Sequence, residues 1–285
     1  RPFKDSKELV QGVKRVFTKV HPELAKNFDE MARLNLLDLE SRKGKAPGGY
    51  NSELMEVRLP FIFMNSVGRE TDLRTLLHES GHAFHVFATR NANLHWMYRE
   101  RGVPLEFAEV ASQGMDLIGG EHLEGIFYNH DEAMRSMREN AESTVRLLAW
   151  VATIDAFQHW VYTNPGHTIE QRREQWVKLK ERFGGGESYG GYEEVWRSRW
   201  QRQLHLYLVP FYYIEYGIAL LGALGIWTRY RKDPAGALKA YMHSLTFGGS
   251  KPLPELFKSA GVPFDFGPST VEPYAKELGS VLMKN

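Results

Sequence analysis

Hydrophobic residues recur with the spacing of a helix along most of the chain. Val10, Val13, Phe17 and Val20 would share one face of a helix near the start. Polar and charged residues lie between them, as expected for a helix with one buried face. The same spacing predicts longer helices over residues 71–90, 105–118 and 131–162.

One stretch departs from this period and predicts a small sheet. Residues 37–40 alternate apolar and charged side chains, and residues 53–65 have the composition of extended chain. A turn rich in glycine and proline, residues 44–49, separates the two. Because Pro60 has no N–H to donate to a ladder, it predicts an edge strand.

Composition narrows the classes of function. Residues 1–285 contain no internal repeat and no clear linker, so we expect one continuous, mainly α domain. The 36 basic and 35 acidic residues leave a net charge of +1, which gives no electrostatic reason to expect nucleic acid or an anionic membrane as a partner. The chain has no cysteine, so a metal site must be built from histidines and carboxylates.

Residues 206–227 are apolar and long enough to span a bilayer. Glu215 in the middle of the stretch would be costly in lipid, and Pro210, Gly217 and Gly222 favour a closely packed buried helix instead. The first ten residues lack the core of a signal peptide. We therefore expect a cytoplasmic protein.

The sharpest chemical signal is the run His78-Glu79-Ser80-Gly81-His82, inside the helix predicted over 71–90. Imidazoles at positions i and i+4 lie on one face of a helix, where both can bind one Zn²⁺. Glu79, between them, can serve as general base for a water that the metal activates. The alternative is a chance match on an ordinary helix.

A catalytic zinc site also needs a third protein ligand. Glu109 follows His82 by 27 residues, about the length of a helix end, a loop and a returning helix. Its neighbours are apolar, and a carboxylate among apolar side chains needs a cation. That cation could also be a nearby arginine such as Arg101. Glu106 is expected to orient an imidazole rather than bind the metal. His85 shares the face of the ligands and could be a fourth one, but we expect it to be a satisfied core histidine or to orient a ligand.

A histidine and four tyrosines fall within 12 residues, from His205 to Tyr216. Phenol and imidazole groups can donate hydrogen bonds to the oxyanion formed when an amide is hydrolysed. The alternative is an aromatic stripe in the core. We expect residues 192–208 to form one helix and Pro210 to begin the next.

These motifs together resemble the thimet oligopeptidase and oligoendopeptidase F family of zinc peptidases, and the bacterial oligoendopeptidase F branch most closely. The resemblance continues in several separated blocks, in the same order along the chain. The blocks are Gly44-Lys45-Ala46-Pro47-Gly48-Gly49-Tyr50, Phe63-Met64-Asn65, His78 to His85, Glu106 to Ser112, and His205 with Phe211 to Tyr216.

The resemblance implies a zincin-like helical catalytic domain with a small β-sheet beside the active-site helix. It implies one Zn²⁺ bound by His78, His82 and Glu109, with Glu79 as general base and His205 and Tyr216 at the scissile carbonyl. Short unstructured peptides would be the substrates. They would lie along an edge strand and contact Gly48, Gly49, Tyr50, and Tyr212 or Tyr213.

Members of this family are about twice as long as this chain, and their amino-terminal helical half has no counterpart in it. Two other functions therefore stay open. One is a zinc carboxypeptidase or dipeptidyl carboxypeptidase of similar fold, although no arginine in the motif blocks stands out as a grip for a terminal carboxylate. The other is an inactive helical fragment that acts only as a binding scaffold.

Overall fold

The computed structural model describes residues 1–99 and 102–283, and these residues are mainly helical, as predicted. Two single 3₁₀ turns, Trp96–Tyr98 and Arg199–Arg202, interrupt the loops. The helices are α1 (Ser6–Val20), α2 (Pro22–Arg33), α3 (Glu70–Asn91), α4 (Leu105–Gly120), α5 (His130–Thr163), α6 (Ile169–Phe183), α7 (Glu193–Ser198), α8 (His205–Leu208), α9 (Ile214–Lys232), α10 (Pro234–Leu245), α11 (Leu253–Ser259) and α12 (Pro268–Leu282).

The predicted sheet is present and has three strands, β1 (Leu37–Glu40), β2 (Tyr50–Leu54) and β3 (Leu59–Ser66), in the order β1-β3-β2. Strand β3 is parallel to β1 and antiparallel to β2. The prediction of an edge strand at Pro60 is wrong, because Pro60 lies in the central strand. Its missing N–H is tolerated because pairing with β1 begins only at Ile62, so β3 has a single neighbour at Pro60.

The helix predicted over residues 192–208 is divided into α7, a 3₁₀ turn and α8, and α9 begins at Ile214 rather than at Pro210. Phe211 explains the late start of α9, because its φ of 64° is left-handed and incompatible with a continuous helix. The backbone N–H of Phe211 is instead bound by the side chain of Gln158, at 2.7 Å.

Within the apolar segment, the part of α9 from Ala219 to Trp227 is packed in the protein core, whereas Leu208 and Val209 before the helix are exposed. A Cβ atom at Gly222 would lie 2.6 Å from Val110 and 2.7 Å from Phe257, so the small residue is needed for the close approach of these side chains. Within residues 1–99 and 102–283, no helix has both the length and the apolar character to cross a membrane.

The chain divides into two compact units. Unit 1 consists of Arg1–Glu139 and Ala219–Asn285, and unit 2 is Asn140–Ile218. In unit 1, Phe17 packs edge-on against Phe28 and Phe84, which joins α1 and α2 to α3. In unit 2, the fully buried Trp176 is the centre of an aromatic core. The single continuous domain stays a prediction.

Candidate active site

Helices α3 and α4 approach closely because Gly81 has no side chain. A Cβ atom at Gly81 would lie 2.6 Å from Ser112 Cα and 2.8 Å from Ala111 O. Both are backbone atoms of α4, which cannot move away as a flexible side chain could. Gly81 therefore brings the face of α3 that carries the two histidines against the segment of α4 that carries Glu109.

The three predicted metal ligands converge at this contact. Glu109 Oε2 lies 3.4 Å from His78 Nε2, and Glu109 Oε1 lies 3.8 Å from His82 Nε2. One donor atom from each residue can be chosen so that all three lie within 4.8 Å of one another. Such a group can hold a metal ion.

The chemistry of these donors fits zinc. Two imidazoles and one carboxylate are a common protein ligand set for catalytic zinc, which keeps its fourth position open. Burial lowers the pKa of His82 to about 3, with smaller contributions from His78 and His85, so the His82 ring is neutral, as a ligand must be. The three side chains are 16–27% exposed, so the donor group is accessible from outside.

The Glu109 carboxylate is held by a residue of its own helix, and the backbone beside it is held by a residue of α10. Ser112 Oγ donates a hydrogen bond to Glu109 Oε2 at 3.1 Å. Tyr241 OH, on α10, donates to Ala111 O at 2.9 Å, and burial raises the Tyr241 pKa, which keeps this donor protonated. The role of Tyr241 is not predictable from the sequence, because nothing local to it indicates a partner 130 residues away.

A cavity of about 500 Å³ opens beside the three donors. Glu79 lines it and is 7% exposed, so the predicted general base is shielded and adjacent to the proposed ligands. Tyr50 and Asn51 of the edge strand β2 also line this cavity. The cavity thus joins the metal-ligand candidates, a carboxylate and an edge strand in unit 1.

His85 and Glu106, which were expected to orient the ligands, differ from each other in burial and in position. His85 is buried and lines the same cavity, and burial lowers its pKa to about 4. Within the described part of the chain, its Nε2 has no hydrogen-bond partner. Glu106 is half-buried on the first turn of α4, and among the described residues it makes no hydrogen bond to an imidazole. Arg101, the alternative partner for Glu109, lies outside the described residues.

The loop before β2 is fixed by two side chains. Lys45, whose side chain is 1% exposed, donates to the backbone carbonyls of Asp38, Glu40 and Met64 and pairs with the Asp38 carboxylate. Asn65 donates to Ala46 O and Gly48 O. These bonds hold the segment from Gly48 to Tyr50, the predicted substrate contact, on the sheet.

Gly48, Gly49 and Tyr50 have distinct local roles in this segment. Gly48 adopts a φ of +96°, which few other residues tolerate. A Cβ atom at Gly49 would lie 2.9 Å from the Thr75 side chain, so Gly49 permits contact with α3. Tyr50 is 50% exposed and its ring stacks on Phe63.

The other predicted residues, in unit 2, form a connected cluster around His205. Trp150 Nε1 donates to Gln203 Oε1 at 3.1 Å, so the NH₂ end of the Gln203 carboxamide faces His205 Nδ1, at 2.6 Å. Since Nδ1 accepts this bond, the neutral ring carries its proton on Nε2. His205 Nε2 lies 3.4 Å from Tyr216 OH. Neither Gln203 nor Trp150 was predicted from the sequence as part of this cluster.

The two competing tyrosines differ in burial. Tyr213 is 8% exposed and belongs to the aromatic core of unit 2, and burial raises its pKa. Tyr212 is half-buried and stacks on the His205 ring, with centroids 6.0 Å apart. Burial therefore leaves Tyr212 more accessible than Tyr213.

Comparison with known proteins decides the family. The sequence model of peptidase family M3 matches residues 7–271, which is most of the chain. The chain belongs to peptidase family M3. This match, together with the oligoendopeptidase relatives in the next paragraph, confirms the resemblance to the oligoendopeptidase F branch, the mainly α fold and the small sheet.

Several M3 relatives and structures of similar fold match the chain over nearly all its length. Oligopeptidase PepF of Bacillus subtilis (strain 168) is 26% identical over 259 residues, which are 87% of this chain and 38% of that protein. The structure of PZ peptidase A with an inhibitor matches at 31% identity and a TM-score of 0.81, over 97% of this chain and 49% of that one. A protein of Bacillus anthracis str. Ames assigned as an oligoendopeptidase F matches at 28% identity and a TM-score of 0.78, over 99% and 47%. This M3 chain therefore spans about half the length of those relatives, or less.

Proposed function

We propose that this M3 chain is the catalytic part of a zinc-dependent oligoendopeptidase that hydrolyses short unstructured peptides. One observation carries the proposal: His78, His82 and Glu109 converge within 4.8 Å beside a cavity that Glu79 also lines. Family membership and the likeness to oligopeptidases support it.

His78 Nε2, His82 Nε2 and a Glu109 oxygen would hold the zinc, which when bound lowers the pKa of a water and polarises a carbonyl. The Glu79 carboxylate would accept a proton from the attacking water and pass it to the nitrogen of the leaving amine. At 7% exposure, Glu79 is largely shielded from bulk solvent.

We assign His205 Nε2–H and Tyr216 OH as donors to the oxyanion. The carboxamide of Gln203 would keep the His205 proton on Nε2, where a donor is needed. Tyr212, which is less buried than Tyr213, is the better candidate for a contact with substrate. A cytoplasmic location stays a prediction.

The function is tested by metal analysis and by a peptide blocked at both ends. Protein purified without added zinc is expected to contain about one zinc per chain, and the variant Glu109→Gln is expected to lose most of it because a neutral amide is a poor ligand. Elemental analysis measures both. Glu255→Gln, an exposed carboxylate on α11, is the control and should retain the metal.

The blocked peptide separates the remaining alternatives. An endopeptidase cleaves it internally, whereas a carboxypeptidase needs a free carboxyl terminus and leaves it intact. A scaffold with a decayed site would contain no zinc and would cleave neither the blocked peptide nor the same peptide with free ends. Cleavage only of unblocked peptides, or full zinc retention in Glu109→Gln, would contradict the proposal.

The variant Tyr216→Phe tests the assignment of the oxyanion donors. It deletes one hydroxyl and keeps the ring that packs near His205. If the hydroxyl acts only in the transition state, kcat is expected to fall about 10²-fold with little change in KM. Steady-state kinetics with the blocked peptide measure both constants. A lower melting temperature with normal kcat would instead identify Tyr216 as a core residue.

A further inference from the structure

Asn51 is the most unusual polar side chain around the cavity. It lies on the edge strand β2, where its register partner in β3 is Ile62, and its side chain lines the cavity with His78, His82 and Glu79. Both polar atoms of its carboxamide, Nδ2 and Oδ1, are buried. Neither has a hydrogen-bond partner within the described part of the chain.

An orphaned carboxamide is costly to keep in a folded protein. Each buried donor or acceptor without a partner loses its bonds to water and gains nothing in return. Two other polar side chains of the sheet differ from Asn51, since Asn65 makes two hydrogen bonds and the three N–H groups of Lys45 are shared among four acceptor atoms. Because Asn51 lines the cavity, a change of its side-chain rotamer would let both unsatisfied atoms bind a partner that enters there.

The chemistry of the carboxamide identifies that partner. Nδ2 donates and Oδ1 accepts, so together they complement one peptide group, which has one carbonyl and one N–H. A terminal carboxylate would accept from Nδ2 and leave Oδ1 facing a negative charge. A side chain of this kind discriminates strongly, because the wrong ligand leaves buried polar groups unpaired.

We propose that Asn51 binds the main chain of the substrate through a peptide group next to the scissile bond. The proposal rests on the proposed function, because it gives the cavity a peptide as ligand. It assigns to Asn51 a part in selecting an internal stretch of peptide over a free carboxyl terminus. Asn51 would contact the substrate without taking part in the proton transfer.

Equilibrium binding of a blocked fluorescent peptide tests this assignment without requiring turnover. The full chain with Glu79→Gln serves as parent, and Asn51→Leu is added to it. Leucine is close to asparagine in size but can form no hydrogen bond. The dissociation constant is expected to rise about tenfold or more. The melting temperature should stay equal or rise, because an unsatisfied carboxamide has been removed from the protein without peptide.

Ser52→Ala is the matched control on the same strand, since Ser52 points to the opposite face and is outside the cavity lining. It should leave the dissociation constant unchanged. If Asn51→Leu does not fold, Asn51→Ala is expected to show the same loss of affinity.

The outcomes separate this assignment from the proposed function. Peptide binding by the parent that both Asn51 variants leave within twofold overturns the role of Asn51, and so does a parent that binds no peptide. A lower melting temperature with unchanged affinity would identify Asn51 as a structural residue. If the wild-type chain fails to hydrolyse the peptide but the affinity still falls in Asn51→Leu, the catalytic proposal is wrong and the assignment of Asn51 stands.

Discussion

Replacing Glu79 with glutamine is expected to lower kcat by about 10²- to 10⁴-fold while the zinc stays bound. Glutamine has nearly the shape of glutamate, but its amide cannot accept a proton from water. The ligands His78, His82 and Glu109 are untouched, so the metal content should stay the same. Turnover of the blocked peptide and elemental analysis on one preparation measure the two effects.

The control for this variant is Glu56→Gln, which makes the same chemical change at an exposed turn between β2 and β3. It should leave kcat and zinc content as in the wild type. Loss of zinc in Glu79→Gln would mean that Glu79 supports the metal site itself. A normal kcat would mean that another group accepts the proton.

Replacing Gly81 with alanine is expected to destabilise the protein and to weaken zinc binding together. Alanine at the centre of a helix would normally stabilise it by about 1 kcal/mol relative to glycine. Here the added Cβ would lie 2.6 Å from Ser112 Cα, and overpacking of this kind costs about 1–3 kcal/mol or more. Helices α3 and α4 must then separate, which moves Glu109 away from the two histidines.

Thermal unfolding and a zinc titration of the same protein measure both effects of Gly81→Ala. Gly120→Ala is the matched control, because a Cβ atom at the end of α4 would meet nothing within 4 Å. It should leave zinc affinity unchanged and the melting temperature equal or higher. A stabilised Gly81→Ala variant with normal zinc affinity would show that the contact between α3 and α4 does not set the ligand geometry.

Helix α3, which carries the run from His78 to His82, could be predicted because the sequence features that indicate it are local. Its bounds follow from periodicity, and the spacing of His78 and His82 places them on one face whatever surrounds them. Glu109 could be predicted as the third ligand for a similar reason, since a separation of 27 residues suits two adjacent antiparallel helices. The proposed ligands thus depend on a short, self-contained part of the chain.

The features that the sequence did not reveal depend on contacts that are distant in sequence. Trp150 and Gln203 are 53 residues apart, and their hydrogen bond sets the orientation of the Gln203 carboxamide. That orientation in turn places the proton of the neutral His205 ring on Nε2. The prediction from Pro60 was wrong because the register between β1 and β3 decides how many residues of the two strands pair. That register cannot be inferred from the residue types alone. The break before α9 similarly depends on Gln158 binding the backbone at Phe211.

Asn51 illustrates a different limit. Its position on β2 could be anticipated only as a polar residue in an extended segment, a pattern that is ordinary on a sheet surface. What sets it apart is the lack of a partner for its two buried polar atoms within the described residues, which becomes visible only once the surrounding side chains are placed.

The hydrogen bond from Tyr241 to Ala111 has a consequence for the order of folding. The proposed ligands lie within the first 109 residues, but the backbone beside the third one is held by a side chain from α10. Unit 1 is completed only by residues that follow the whole of unit 2 in the chain. During synthesis, α3 and α4 therefore emerge long before their support does. Contacts of such high sequence separation form late, so we expect the rigid ligand geometry to be reached only after the segment Ala219–Asn285 has packed onto the rest of unit 1.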